Sequence, residues 1–122
     1  MSGSEWVVEA HGCDPALLRS RAQLESVFDR LILELDLHPV EPPVWHQFPE
    51  PGGFTGMALL AESHLACHTF PEHGSLCLNL FCCRPRPRWD FEGELKRLLG
   101  ATHVEVRQLT RAYGGVDVAH GR

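Results

Sequence analysis

The chain has 122 residues, 43% of them hydrophobic, and carries 16 acidic residues against 11 lysines and arginines, for a formal net charge of -5. This length fits one compact domain over residues 1–122, and the negative charge argues against nucleic-acid binding, which depends on neutralising phosphates. No run is apolar enough to span a membrane, and the first residues lack the basic and apolar regions of a signal peptide. We therefore expect a cytoplasmic protein whose five cysteines stay as thiols.

The first third of the chain predicts a strand followed by a helix. Residues 5–10 contain Trp6 and two valines, which favour a strand. Asp14 followed by Pro15 is typical of a helix start. Apolar residues then recur at intervals of three and four positions, which predicts an amphipathic helix over roughly residues 21–37, ended by the prolines that follow.

The remaining elements complete a two-layer arrangement. Val44–Phe48 is a candidate for a short strand, and the apolar run Met57–Ala61 continues as strand in Leu65–Phe70. Leu76–Cys83 and the stretch around Val104 and Val106 are further strands, and a second helix is predicted over Trp89–Leu99. The order strand, helix, two or three strands, helix, strand predicts an α/β (α+β) two-layer sandwich with one face of the sheet open. Residues 114–122, rich in glycine at their start, are expected to form a flexible tail.

Reactive side chains are concentrated between Glu62 and Cys83, which indicates a functional site. A metal site on His64, Cys67, His68 and His73 is disfavoured, because Cys67 and His68 are adjacent on a predicted strand and point to opposite faces. No Cys-x2-Cys pair supports them, so we predict no metal. A cysteine nucleophile paired with a histidine, such as Cys83 with His68, is a second alternative.

A third interpretation comes from a resemblance. The run Leu60–Glu72 is very similar to the processing segment of bacterial S-adenosylmethionine decarboxylases, in which an apolar strand leads to Ala-Glu-Ser-His and then to His-Thr-aromatic-Pro-Glu. The similarity extends to Gly12-Cys13-Asp14-Pro15, Gly53-x-Thr55-Gly56 and the strand leading into Cys83, and it covers residues 3–109. It implies a βαββαβ-type sandwich that pairs into a homodimer.

The resemblance also implies the roles of single residues. Ser63 matches the serine that attacks the carbonyl of the preceding residue, here Glu62, and cleaves the chain between them. Elimination from the resulting ester leaves dehydroalanine, which hydrolyses to a pyruvoyl group on the new chain end. His68 matches a histidine that assists this cleavage. Cys83 matches the proton donor of the later decarboxylation, and cysteine can be tuned to the near-neutral pKa that this role needs.

A small-molecule substrate, S-adenosylmethionine, is implied as well. Its contacts are expected at Phe48, Leu65, Phe70 and Glu72, since an aromatic ring and a carboxylate suit adenine, ribose and a sulfonium cation. A ketone that forms a Schiff base with the substrate amine accepts the electrons released on loss of CO2. The alternatives are a pyruvoyl-dependent arginine or ornithine decarboxylase, and an uncleaved binding or regulatory module of the same fold.

This chain departs from the family pattern at four places, and these departures bear on the identity of the substrate more than on self-cleavage. Family members usually carry Arg-His where this chain has Ser4-Glu5, Trp where it has Phe70, and Asp where it has Asn79. The family's Thr-Cys-Gly is replaced by Cys82-Cys83-Arg84, and we expect Cys82 to be a packing residue. The residues implied in self-cleavage are all present.

Overall fold

The computed structural model describes residues 1–115, in which six antiparallel strands form one sheet in the order β2-β3-β4-β5-β1-β6. Three helices cover one face of this sheet, and the other face has no covering element among these residues. The elements in chain order are β1 Gly3–His11, α1 Pro15–Leu18, α2 Arg21–Glu34, β2 Val44–Gln47, β3 Phe54–Leu60, β4 Ser63–Phe70, a 3₁₀ turn Pro71–His73, β5 Ser75–Cys82, α3 Phe91–Leu99 and β6 His103–Arg111.

The helices begin and end where local chemistry favours it. The Asp14 carboxylate accepts a hydrogen bond from the Ala16 N–H at 2.9 Å, and Asp90 accepts one from Gly93 at 3.0 Å. The chain leaves α3 through Gly100, whose φ of 74° lies in the left-handed region that glycine adopts without strain.

The core lies between the helices and the inward-facing side chains of the central strands. Alternate residues of β1 are buried, and antiparallel pairing places them beside the buried leucines of β5. The largest fully buried side chains include Trp6, Phe28 and Phe91, of which Trp6 and Phe91 lie 6.5 Å apart between ring centroids. This packing confirms the predicted two-layer α+β sandwich.

The number of strands and one helix end differ from the prediction. Four strands, rather than two or three, lie between α2 and α3, because the turn at Ala61 and Glu62 divides the run over residues 57–70 into β3 and β4, and because the candidate segment at Val44 forms the edge strand β2. Helix α2 ends at Glu34 and not near residue 37, because Asp36 adopts a φ of 53° and Leu37 donates its N–H back to the Ile32 carbonyl.

The expected flexible tail, residues 114–122, lies only partly within the described residues. Tyr113 and Gly114 form a turn, and the Gly114 N–H donates to the Met1 carbonyl at 3.0 Å. The rest of the expected flexible tail, residues 116–122, lies outside the described residues.

Candidate active site

The bond expected to be cleaved lies in a two-residue turn. Ala61 and Glu62 join β3 to β4, and Leu60 pairs with Ser63 across the turn. The backbone N–H of Cys83 donates to the Glu62 carbonyl at 2.8 Å. A donor in this position stabilises negative charge that develops on the carbonyl oxygen when a nucleophile attacks the carbon. The turn therefore presents a polarised carbonyl on the residue that precedes Ser63.

Side chains from three segments surround this turn. The Arg84 guanidinium forms an ion pair with the Glu62 carboxylate, and the Tyr113 hydroxyl donates to the Cys83 carbonyl at 3.0 Å. The hollow between them has a volume of about 400 Å³ and is lined by Met1, Ser2, Glu62, Cys83, Arg84, Pro85 and Tyr113. It is large enough to admit small molecules to the turn.

The two neighbouring cysteines occupy different environments, as expected. Cys82 is 2% exposed and pairs with Ser63 on the helix-facing side of the sheet, where burial raises the pKa of its thiol. Cys83 follows the end of β5, is half-buried and lines the hollow beside Glu62. Of the two cysteines, only Cys83 is among the residues that line the hollow.

His68 lies near the other end of β4, on the open face of the sheet. Its Nδ1 and the Thr55 hydroxyl are 3.0 Å apart, which fixes the orientation of the imidazole. Cys77 stands directly opposite on β5 and pairs in turn with Glu9 on β1. Burial, and secondarily the charge of Glu9, raise the pKa of the Cys77 thiol. The thiol that faces His68 across the strand pair is therefore held in its neutral form.

Three of the four expected substrate residues line one depression at this end. Phe48, Phe70 and Glu72 surround a volume of about 230 Å³ whose floor includes Gly53 and Thr69. Gly53 cannot carry a side chain there, because a Cβ would lie 2.2 Å from the Thr69 carbonyl oxygen. Thr69 itself is structural, since its hydroxyl donates to the Leu18 carbonyl and accepts from the Phe54 N–H, both at 2.9 Å.

The fourth residue, Leu65, lies away from this depression, and its contact with the substrate stays a prediction. It was expected to contact the substrate, but its side chain is 0% exposed and packs among the helix-facing residues of the sheet. Its backbone also lies within β4 between paired residues of β3 and β5. Leu65 therefore supports the strand and offers no surface to a bound molecule in this conformation.

The predicted catalytic residues are divided between the two ends of β4. Ser63 and His68 are five residues apart on one strand, which corresponds to about 16 Å. Their side chains also point to opposite faces, since Ser63 pairs with the buried Leu60 and Cys82 whereas His68 pairs with the exposed Cys77. Glu62, Ser63 and Cys83 meet at one end, and His68 lies toward the end that holds Phe48, Phe70 and Glu72.

The absence of a metal site remains a prediction. Within residues 1–115, no group of three or more His, Cys, Asp or Glu side chains is arranged to hold a metal ion. His64, which the sequence offered as a ligand, stacks on Phe81 with ring centroids 5.5 Å apart. No helix in the same part of the chain is long and apolar enough to cross a membrane.

Contacts in the structure also involve residues that were not predicted as site residues. Thr55 stands in the Gly-x-Thr-Gly segment, which was the only signal for its contact with His68. Two departures from the family pattern prove to be coupled, since Asn79 Nδ2 donates to Glu5 Oε2 at 2.7 Å. This hydrogen bond and the ion pair with Arg111 hold the pKa of the Glu5 carboxyl below its usual value. No single-sequence pattern links these positions, because the contact depends on the pairing of β1 with β5.

The fold places the chain in a class of known structures. It superposes on the crystal structure of the adenosylmethionine decarboxylase from Aquifex aeolicus with a TM-score of 0.74, covering 95% of this chain and 92% of that chain. The sequence identity of 20% makes this a likeness of fold. A family model described as S-adenosylmethionine decarboxylase matches residues 4–112, and the chain belongs to that family.

Relatives from bacteria and archaea agree with this assignment. The S-adenosylmethionine decarboxylase proenzyme of Shouchella clausii is 34% identical over 115 residues, covering 93% of this chain and 88% of the relative. That of Acetivibrio thermocellus is 32% identical over 110 residues, covering 89% and 87%. The archaeal protein of Picrophilus torridus is 33% identical over 111 residues, covering 89% and 83%.

Proposed function

We propose that this chain is a single-domain proenzyme that cleaves itself between Glu62 and Ser63 and then decarboxylates S-adenosylmethionine with a pyruvoyl group derived from Ser63. The product is the decarboxylated aminopropyl donor used in polyamine synthesis. One observation carries the proposal: the Glu62 carbonyl lies in a tight turn beside Ser63 and accepts a hydrogen bond from the Cys83 N–H at 2.8 Å. Such a donor supports an acyl shift from nitrogen to oxygen, because it stabilises the negative charge that develops on the carbonyl oxygen.

The cleavage balances with the groups present and one water molecule. The Ser63 hydroxyl oxygen attacks the Glu62 carbonyl carbon, its proton passes to a base, and the peptide C–N bond breaks to leave an ester and a free amine. Loss of the Ser63 Cα proton then breaks the Cβ–O bond, which releases Glu62 as a carboxylate. Hydrolysis of the remaining enamine expels ammonia and leaves a ketone at position 63. His68 is the base candidate, because its imidazole is held by Thr55.

The surrounding residues fit the group that this cleavage makes. The ketone supplies an electron sink for the charge released when CO2 leaves. Cys83 lines the same hollow as Glu62, the residue next to Ser63, and is the candidate to return a proton to the product carbon. Phe48 and Phe70 offer ring faces and Glu72 a carboxylate, which together suit an adenine, a ribose and a sulfonium cation.

A homodimer with shared sites removes the separation of Ser63 from His68 along β4. A two-fold axis perpendicular to β4, between two sheets stacked through their open faces, places the Ser63 end of one strand over the His68 end of the other. The partner's His68, Phe48, Phe70 and Glu72 then lie over the scissile turn, and the Ser63 side chain, which points to the helix-facing side of its own sheet, must turn toward the open face to reach them. Without a second copy, about 16 Å of strand separates the base from the nucleophile.

The composition of the open face supports this pairing. Met57 and Leu59 on β3 are 57% and 55% exposed, and Leu109 on β6 is also exposed. The acidic residues of β1 on this face are paired, Glu9 with Arg107 and Glu5 with Arg111. A face of exposed apolar side chains and neutralised charges is suited to contact with a second copy.

The cysteines agree with a cytoplasmic location, which is part of this proposal. All five are free thiols, and Cys13, Cys67 and Cys82 are buried. Burial raises the pKa of Cys13 to about 11 and that of Cys67 to about 12, so both thiols are neutral and unreactive at neutral pH. Such residues stay reduced in a reducing compartment.

Intact mass spectrometry tests the proposal most simply. The wild-type chain is expected to yield fragments of 62 and 60 residues, because cleavage follows Glu62 in a chain of 122 residues. Ser63→Ala lacks the hydroxyl and is expected to remain intact, and its cleavage at the wild-type rate would refute self-processing. CO2 release is then measured from S-adenosylmethionine, with arginine and ornithine in parallel. Release only from a basic amino acid would keep the cleavage and reject the substrate.

A further inference from the structure

Glu62 is held through its side chain as well as through its backbone. The Cys83 N–H binds its carbonyl oxygen, and the guanidinium of the next residue, Arg84, pairs with its carboxylate. Both anchors come from adjacent residues that follow β5. The position of Arg84 is usually glycine in the family pattern, and glycine has no side chain with which to form the second anchor.

The charge of the Glu62 side chain bears directly on the cleavage. Its carboxylate belongs to the same residue as the carbonyl under attack, and negative charge develops on that carbonyl oxygen as the Ser63 hydroxyl adds. Like charges a few ångströms apart repel each other, so an unpaired Glu62 carboxylate opposes the reaction. A guanidinium bound to the carboxylate neutralises it and also restricts the turn to one conformation.

We infer that Arg84 is a positioning residue for self-cleavage, which acts through the Glu62 carboxylate and keeps the scissile turn oriented and electrostatically neutral. The inference rests on the self-cleavage proposed above. The Arg84 side chain in its ion pair is 67% exposed and that of Glu62 is 43% exposed. Pairs this exposed contribute little to folding stability, so removing the arginine leaves the fold intact and changes the rate.

The test is a time course of cleavage after cell-free synthesis of the full chain, with the intact fraction read by mass spectrometry. Arg84→Ala is expected to slow cleavage about fivefold, with an unchanged melting temperature. Arg84→Lys retains the charge and is expected to recover most of the rate. Arg21→Ala is the matched control, because Arg21 forms an exposed pair with Glu25 on α2, at 3.2 Å and far from the turn along the chain.

A double-mutant cycle with Glu62→Gln separates this role from a general structural one. If Arg84 acts through the Glu62 carboxylate, Arg84→Ala has little effect in the Glu62→Gln background. Equal slowing in both backgrounds, no slowing in Arg84→Ala, or no recovery in Arg84→Lys would each overturn the inference. A wild-type chain that stays intact, like Ser63→Ala, would instead refute the proposed function and the inference with it.

Discussion

The two ends of β4 differ in what they hold. The Ser63 end is organised by the backbone: a two-residue turn and a hydrogen bond from the Cys83 N–H to the Glu62 carbonyl. The His68 end is organised by side chains, with a threonine oriented toward an imidazole and a depression lined by Phe48, Phe70 and Glu72. One end carries the bond proposed to be cleaved, and the other carries the proposed base and recognition groups. In one copy of the chain these two sets of residues lie at opposite ends of the strand.

The largest effect expected at the Ser63 end comes from Cys83. Cys83→Ala removes the thiol that lines the hollow, and decarboxylation is expected to fall by about 10²–10⁴-fold while cleavage still proceeds at least partly. Cys82→Ala is the matched control, because Cys82 is buried on the helix-facing side, and its turnover is expected to stay within about threefold of wild type. Full activity of processed Cys83→Ala would reject Cys83 as proton donor.

The next largest effect is a loss of stability expected from Thr69, a structural residue at the His68 end of β4. Thr69→Val removes a buried hydroxyl that donates to the Leu18 carbonyl and accepts from the Phe54 N–H. The Phe54 N–H then loses its partner. The free energy of unfolding, measured by urea denaturation, is expected to fall by about 2 kcal/mol. Thr69→Ser keeps the hydroxyl and should lose less. A valine variant as stable as wild type would show that these hydrogen bonds contribute little.

The smallest effect concerns the residue that orients His68. Thr55→Val keeps the shape of the side chain but removes the hydroxyl 3.0 Å from Nδ1, and cleavage is expected to slow about tenfold. Thr55→Ser is expected to cleave nearly as fast as wild type. The measurement is the rate at which intact chain disappears, followed by mass spectrometry. Equal rates for the valine and serine variants would mean that this hydrogen bond does not position the base.

The sequence predicts local features of this molecule better than contacts between distant segments. The helix start at Asp14 and the second helix, which begins just after Asp90, were predicted, because each depends on a few neighbouring residues. The edge strand β2 was found, but its length and its place in the element order were less clear, since exposed edge residues need not alternate in polarity.

The site itself was predictable only as a set of residues. Resemblance identified Ser63, His68 and Cys83 together, but it did not show that Ser63 and His68 lie at different ends and on different faces of β4. It also placed Leu65 in contact with the substrate, although the alternation of β4 buries that side chain. The contact between Glu5 and Asn79 joins residues 74 positions apart and emerges only once β1 pairs with β5.

The division of the site between two copies is tested most directly by complementation between two inactive chains. His68→Ala retains Ser63, and Ser63→Ala retains His68, so a mixed dimer contains one site with both residues only if they meet across the interface. The two chains are given tags of different mass and are co-expressed. The His68→Ala chain is expected to stay largely intact alone and to be cleaved after Glu62 when the Ser63→Ala chain is present. If it remains intact in mixed dimers while the wild-type chain is cleaved, His68 serves its own chain and the shared site is wrong.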